Sequence, residues 1–292
     1  MKIKTLLLSS MAVFLLMPSA MRAQQDTKMK LFIDNLMSKM TLQEKIGQLN
    51  LPVTGDIVTG QAKSSNVAEE IRLGEVGGLF NLKGVNKIKE VQKIAVTQSR
   101  LKIPLLFGMD VIHGYETVFP IPLALSCSWD MKGIENSARI AADEASADGI
   151  CWTYSPMLDI CRDGRWGRMS EGNGEDPYLG SEIARAMVHG YQGNDLTASN
   201  TVMACVKHFA LNNQEKDRMG INVEVSDRAL YEIYLPAFKA AVHEGKAWSI
   251  MGAYNQFRGQ HCCHNDLLLN KILKNDWQFD GAVDRKSTRL NS

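Results

Sequence analysis

The residues best suited to chemistry are concentrated in a charged loop that directly follows an apolar run at 152–160. The loop holds three arginines and four acids, namely Arg162, Arg165, Arg168, Asp163, Glu171, Glu175 and Asp176. Because unpaired buried charge is very costly, we expect most of these groups to pair with one another in a structural network. We expect Arg168 to contact a ligand, and Arg165 to matter more for stability.

Polar residues also follow the ends of other apolar runs, namely Asp110, the pair Lys207 and His208, and the pair Tyr254 and Asn255. A single histidine on an apolar strand is more often a satisfied core residue than a ligand. The adjacent lysine favours a functional pair, because strand neighbours point to opposite faces and a wholly buried lysine is rare. An acid, an arginine, a lysine and a histidine around one cavity suit a polyhydroxylated ligand, since carboxylates accept from vicinal hydroxyls and cations donate to them.

The elements that must position these residues alternate between apolar strands and helices. Strands are predicted at 76–82, 104–109, 152–160, 202–209 and 247–254, with a further one starting at Gly281. Helices are predicted at 30–40, 42–49, 86–99, 134–148, 180–192, 227–244 and 267–275, the second of them opened by a capping box from Thr41 to Glu44. This order predicts an α/β fold with a parallel sheet wrapped by helices. In a β/α barrel the carboxyl ends of the strands converge on one rim, where catalysis takes place.

Length and composition limit the classes of function. The chain has 292 residues, is 45% hydrophobic and carries a net charge of +1, which suits one large core and provides no basic stripe for a nucleic acid. The six cysteines have neither metal-ligand spacing nor a dense disulfide pattern. Four of them, Cys127, Cys151, Cys161 and Cys205, are predicted to be buried as small hydrophobic residues. We expect no cofactor and no metal.

The N-terminus has the pattern of a secretory signal. Lys2 and Lys4 precede an apolar run at 6–17, and Ala23 is a plausible cleavage edge. The run is too short for a confident membrane span, and no later run approaches that length. We therefore assign residues 1–23 to a signal peptide and expect a periplasmic or extracellular protein without stable membrane insertion, a retained anchor being the alternative.

Five motifs together carry a resemblance to a known family. In order they are K-M-T-L-Q-E-K-I-G-Q-L, F-G-M-D-V-I-H-G, S-P-M-L-D-I-C-R-D-G-R-W-G-R with E-G-N-G-E-D-P, V-K-H-F-A, and I-M-G-A-Y-N. The chain resembles the N-terminal barrel of glycoside hydrolase family 3, the β-glucosidase and β-xylosidase group, from about Met37 to Val283. The resemblance implies a (β/α)8 barrel at 24–283 that is incomplete at its C-terminal end.

The resemblance also implies a substrate and a binding site. Carried over from the family's motifs, Asp110, Arg168, Lys207 and His208 would hold the sugar at the cleaved bond, and Tyr254 would lie against it. The expected substrate is a β-linked oligosaccharide or an aryl glucoside. The segment after His208 lacks the P-G-H-G pattern of the N-acetylglucosaminidase branch, which favours a plain β-glycoside. Glucoside and xyloside specificity are both left open.

The end of the sequence departs from the family. A retaining glycosidase needs two carboxyl groups roughly 5 to 5.5 Å apart, and the family's nucleophile ends the strand that starts here at Gly281. The chain instead continues with Asp284 and Arg285, so Asp284 is out of register and inside the strand. We interpret 284–292 as a non-native tail. The family's acid/base glutamate comes from a later α/β domain, so we expect the catalytic pair to be absent and the chain as given to be inactive and poorly folded.

Three hypotheses follow. The first is that the chain is part of an exported β-glycosidase, and the second is that it is a non-catalytic sugar-binding barrel. The third is another barrel enzyme, such as an aldolase, that uses Lys207 as a Schiff-base amine. Borohydride trapping with a carbonyl substrate would distinguish the third, and the genomic sequence after codon 283 would separate the first two.

Overall fold

The computed structural model describes residues 27–53 and 67–285. The predicted signal peptide at 1–23, most of the predicted loop at 52–66 and residues 286–292 of the predicted tail lie outside the described residues. Within them, no helix is long and apolar enough to cross a membrane.

A parallel six-stranded sheet forms the centre of the described chain, in the order β1-β2-β3-β4-β6-β9. Its strands are β1 Gly78–Phe80, β2 Leu106–Met109, β3 Trp152–Thr153, β4 Met203–Phe209, β6 Ser249–Gly252 and β9 Ala282–Arg285. A smaller sheet, β5 Asn222–Val223 with β7 Gln256–Phe257 and β8 Gln260–His261, was not predicted from the sequence. The predicted α/β class with a parallel sheet is confirmed, and the main sheet curls as part of a barrel.

Helices connect the strands. They are α1 27–39, α2 Leu42–Gly47, α3 Val67–Leu73, α4 Val85–Gln98, α5 Pro122–Ser126, α6 Met131–Ala147, α7 Pro177–Gln192, α8 Asp227–Ala229 and α9 Pro236–His243, with π-helical turns at Leu230–Tyr234 and Leu267–Asp276. Helices α6 and α7 pack directly against each other. A Cβ atom added at Gly190 of α7 would lie 2.4 Å from the Glu135 carbonyl oxygen of α6, so a glycine is needed at this contact.

The predicted capping box opens α2 as expected. Thr41 Oγ1 accepts from the backbone N–H of Glu44, and the Glu44 carboxylate accepts from the backbone N–H of Thr41 at 2.8 Å. The same carboxylate accepts two hydrogen bonds from Arg100. These bonds, with that from Thr41, lower the pKa of Glu44 to about 2. Glu44 therefore joins the start of α2 to the end of α4.

Two predicted elements are interrupted, and a proline lies at each interruption. The predicted strand at 152–160 is a strand only at 152–153, because Pro156 has no N–H for the ladder. The segment still runs beside β4, since Met157 forms a bridge with Lys207. The predicted helix at 227–244 is broken before Pro236, which cannot donate to the preceding turn.

One of the predicted buried cysteines is exposed. Cys161 and Cys205 are buried and Cys151 is partly buried, but Cys127 lies at the solvent-facing C-terminal end of the short helix α5. None of the six cysteines, all of which lie in the described part of the chain, forms a disulfide there. Burial raises the pKa of Cys151 and Cys205.

Candidate functional site

The first pair of predicted site residues meets across the sheet. Asp110 directly follows β2, and Lys207 lies in β4, on the far side of β3. The Lys207 ammonium forms a salt bridge with Asp110 Oδ1. The lysine side chain is 4% exposed and the aspartate side chain is 42% exposed. The carboxylate therefore neutralises a buried cation while part of it stays accessible to a ligand.

Arg168 and His208 form the second pair. Arg168 Nη1 lies 3.3 Å from His208 Nε2, and its guanidinium donates to both Glu171 oxygens at 2.6 and 2.5 Å. The Arg168 side chain is only 17% exposed, and burial works against its charge. The bonds to Glu171 outweigh that cost and raise the pKa of Arg168, so the arginine stays charged.

A buried acid that the sequence analysis did not assign lies beneath His208. Asp159 is 4% exposed, and its Oδ2 lies 2.6 Å from His208 Nδ1 and 3.4 Å from Asn212 Nδ2. The sequence already indicated that Asp159 is unusual. It lies inside the apolar run Met157-Leu158-Asp159-Ile160, and an acid that is buried there must have hydrogen-bonding partners.

Tyr254 is joined to the same region through the loop after β4. The Arg218 guanidinium carbon lies 5.7 Å from the centre of the Tyr254 ring, and Arg218 donates to Glu215 at 2.6 Å. Glu215 also accepts from Trp166 Nε1 at 3.2 Å, two residues before Arg168. Glu215 and Arg218 were likewise unassigned, because only the tertiary fold brings this loop back to the R-W-G-R motif.

The expectation that Arg165 matters more for stability is not supported by its surroundings. Its side chain is 91% exposed, and among the described residues its ion-pair partner is Asp163 of the same loop. Hydrogen bonds from Arg165 lower the pKa of Asp163 to about 2, so both groups are charged at neutral pH. An ion pair this exposed contributes little, because water already solvates both charges.

Asp284 lies inside the last described strand, as expected from the sequence. The register aligns it with Met251 of β6, which is in turn aligned with Lys207 of β4. Burial raises the pKa of Tyr154, and the charge of Asp284 raises it further.

A separate cavity of about 220 Å³ is lined by residues such as His189 and Trp248. None of the predicted site residues lines it.

The two contacts provide both an acceptor and a donor for hydroxyl groups. The partly exposed Asp110 carboxylate is an acceptor, and the Arg168 guanidinium is a donor. Their orientation is fixed by partners that are themselves buried or ion-paired, namely Lys207, His208 and Glu171. Such a preorganised set of charged hydrogen-bonding groups suits a neutral, polyhydroxylated ligand such as a sugar.

Comparison with known proteins identifies the family. Residues 41–285 match the model of the glycosyl hydrolase family 3 N-terminal domain. The chain is 39% identical over 253 residues to a periplasmic β-glucosidase of Salmonella typhimurium, covering 86% of this chain and 32% of the relative. It is 42% identical over 235 residues to the β-glucosidase BoGH3A of Bacteroides ovatus, covering 74% and 29%.

Solved structures agree with these relatives. A mutant β-glucosidase from Listeria innocua in complex with laminaribiose superposes with a TM-score of 0.75 and 38% sequence identity, covering 86% of this chain and 36% of that one. The same enzyme in complex with glucose gives a TM-score of 0.76. The chain thus spans about a third of the length of the relatives it matches. By sequence and fold alike, it belongs to glycosyl hydrolase family 3 and matches the N-terminal domain of that family.

Proposed function

We propose that the protein containing this chain hydrolyses β-linked glucosides and releases glucose from their non-reducing ends. Two contacts between the predicted site residues carry the proposal, both near the carboxyl ends of neighbouring strands. They are the salt bridge of Asp110 with Lys207 and the contact of Arg168 with His208. The relatives named β-glucosidases, and the structural neighbour bound to laminaribiose, support a β-glucoside as the substrate.

In this proposal the predicted site residues bind the sugar, and Tyr254 lies against its ring. The reaction proceeds with retention of configuration at the anomeric carbon. Asp110 accepts hydrogen bonds from sugar hydroxyls, and Arg168 donates to them. Retention requires a nucleophilic carboxylate and a second carboxyl group as acid and base. Neither role is assigned to a described residue. The domain bounds, with a barrel at 24–283 and a tail at 284–292, belong to the same proposal.

A β-xyloside is the second candidate substrate. It is favoured by a β-xylosidase of Formosa agariphila that is 37% identical over 212 residues. The two sugars differ by the hydroxymethyl group on C5 of the ring. A site that accepts xylosides only would therefore exclude glucosides by steric contact with that group.

The test is turnover of matched aryl β-glucoside and aryl β-xyloside by the protein containing this chain. We expect hydrolysis of the glucoside, with the β-anomer of glucose as the first product in a proton NMR time course. Lys207→Met should abolish most of this activity, whereas Lys239→Met, on the exposed side of α9, should not. Sugar binding without turnover of either substrate would favour the non-catalytic barrel. An α-anomer as the first product would refute retention.

We also propose that residues 1–23 direct export and are removed. The periplasmic relative from Salmonella typhimurium supports this location. N-terminal sequencing of the protein recovered from the periplasm or the medium should begin near residue 24, and recovery of the uncleaved chain in the membrane fraction would support a retained anchor instead.

A further inference from the structure

Three hydrogen-bond donors converge on the buried Asp159 carboxylate. The backbone N–H of His208 lies 3.3 Å from Oδ1, and Nδ1 of the same histidine lies 2.6 Å from Oδ2. The amide nitrogen of Asn212 lies 3.4 Å from Oδ2. His208 is fully buried and the Asp159 side chain is 1% exposed, so water cannot replace any of these contacts.

An ionised carboxylate accepts hydrogen bonds and donates none. Nδ1 of His208 lies 2.6 Å from Asp159 Oδ2 and 3.2 Å from the Asn212 amide nitrogen. The contact with Asp159 is the shorter one, and two lone pairs would repel each other at that distance, so Nδ1 carries the hydrogen that lies between it and Asp159. The opposite ring nitrogen, Nε2, lies 3.3 Å from Arg168 Nη1. A guanidinium only donates, so Nε2 meets it with a lone pair. The contacts on the two sides of the ring select one neutral tautomer, with hydrogen on Nδ1.

We propose that Asp159 is a positioning residue that fixes this tautomer of His208 and, through it, the direction of the Arg168 guanidinium. Arg168 is held on one side by Glu171 and on the other by the His208 lone pair. The proposal deepens the proposed function and rests on it, because it assigns Asp159 a role in presenting Arg168 to the sugar.

An asparagine at this position cannot replace the acid, although it has the same shape. If the amide oxygen faced His208 Nδ1, the amide NH₂ group would take the place of Oδ1, 3.3 Å from the backbone nitrogen of His208. The backbone N–H would then keep only its 3.4 Å contact with the oxygen. In the opposite orientation the NH₂ group would face Nδ1, which would then have to give up its hydrogen. The hydrogen would move to Nε2 and point at Arg168, so two donors would oppose each other at 3.3 Å. Each orientation of the amide opposes one pair of donors.

The first experiment needs no variant of Asp159. Protein labelled with ¹⁵N-histidine would be recorded in long-range proton–nitrogen NMR spectra, which distinguish a ring nitrogen that carries hydrogen from one with a lone pair. His208→Gln would assign the signal among the six histidines of the chain. We expect hydrogen on Nδ1 of His208. Hydrogen on Nε2 would overturn the proposal, whether or not the protein hydrolyses glucosides.

The second experiment compares Asp159→Asn with Asp163→Asn, the same chemical change four residues away at an exposed acid. Asp159→Asn should lower kcat/KM for the aryl β-glucoside by about tenfold to a hundredfold, the range found when a residue that orients a metal-bound histidine is lost. It should also change the His208 nitrogen spectrum, and Asp163→Asn should alter neither readout. Normal kcat/KM in folded Asp159→Asn protein would overturn the positioning role. Absence of turnover in the unaltered protein would instead refute the proposed function, while the tautomer assignment would still be decided by the first experiment.

Discussion

Two arginines three residues apart make the sharpest test of the site, because they have the same chemistry and different surroundings. Arg168→Met and Arg165→Met each remove a guanidinium and keep an aliphatic side chain of similar length. Each arginine makes hydrogen bonds to both oxygens of one acid, Glu171 for Arg168 and Asp163 for Arg165. A count of ion pairs would predict equal effects.

Exposure predicts unequal effects on the free energy of unfolding. Removing one partner of a fully buried pair costs about 3–5 kcal/mol, because the other charge is left without compensation. Here the Arg168 and Glu171 side chains are 17% and 26% exposed, so water recovers part of that cost, and we expect a loss of about 1–3 kcal/mol. The Arg165 side chain is 91% exposed, so its loss should lower the free energy of unfolding by less than about 1 kcal/mol.

The assays are urea denaturation of each variant and steady-state kinetics of the protein containing this chain. Arg168→Met should also lower kcat/KM by at least about a hundredfold, roughly 2.7 kcal/mol of transition-state binding, while Arg165→Met should leave it unchanged. Adding Glu171→Gln to Arg168→Met should restore part of the stability but not the activity, since the unpaired acid is then removed. Normal turnover of Arg168→Met, or a larger loss of stability in Arg165→Met, would refute this reasoning.

Three further predictions address single contacts. Asp110→Asn should lower kcat/KM by about tenfold to a hundredfold, mainly through kcat. The substitution replaces one of the two acceptor oxygens by an NH₂ donor and removes the negative charge, and the sugar hydroxyls bind the carboxylate more tightly as the ring flattens in the transition state. A raised KM at unchanged kcat would contradict this. Glu44→Gln should destabilise the protein at pH 6 and make no difference near pH 2. The folded-state pKa of Glu44 is lowered from 4.5 to about 2 by its bonds to Arg100 and Thr41. The contribution of Glu44 to the free energy of unfolding is therefore present above about pH 4.5 and is lost as the pH falls. Urea titrations in which the stability difference between variant and unaltered protein does not depend on pH would refute this. Tyr191→Phe should cost about 1–3 kcal/mol of unfolding free energy, because the buried Val111 carbonyl loses a donor at 2.6 Å; an unchanged urea midpoint would show that another donor replaces the hydroxyl.

Much of the local structure could be predicted from the sequence because local structure has local causes. The capping box at Thr41 and the alternation of apolar strands with helices each depend on residues a few positions apart. The interruptions near Pro156 and before Pro236 also have local causes, since a proline lacks the N–H that a strand ladder or a helix needs. Both were predictable from the sequence. The five predicted binding residues were found by their positions after apolar runs and in the charged loop, and motif resemblance supplied their roles. The structure brings four of them into two contacts, a salt bridge and an arginine–histidine contact.

The partners of those residues depended on the tertiary structure. Asp110 and Lys207 are 97 positions apart and meet only because the sheet order places their strands on either side of β3. Asp159 became part of the site because the segment after β3 runs beside β4 and brings this acid to His208. Glu215 did so because the segment after β4 returns to the charged loop and contacts Trp166. The sequence showed that the charges near Arg165 and Arg168 had to pair. It could not show which pair would be buried, because burial depends on the elements packed around a side chain and not on its neighbours along the chain.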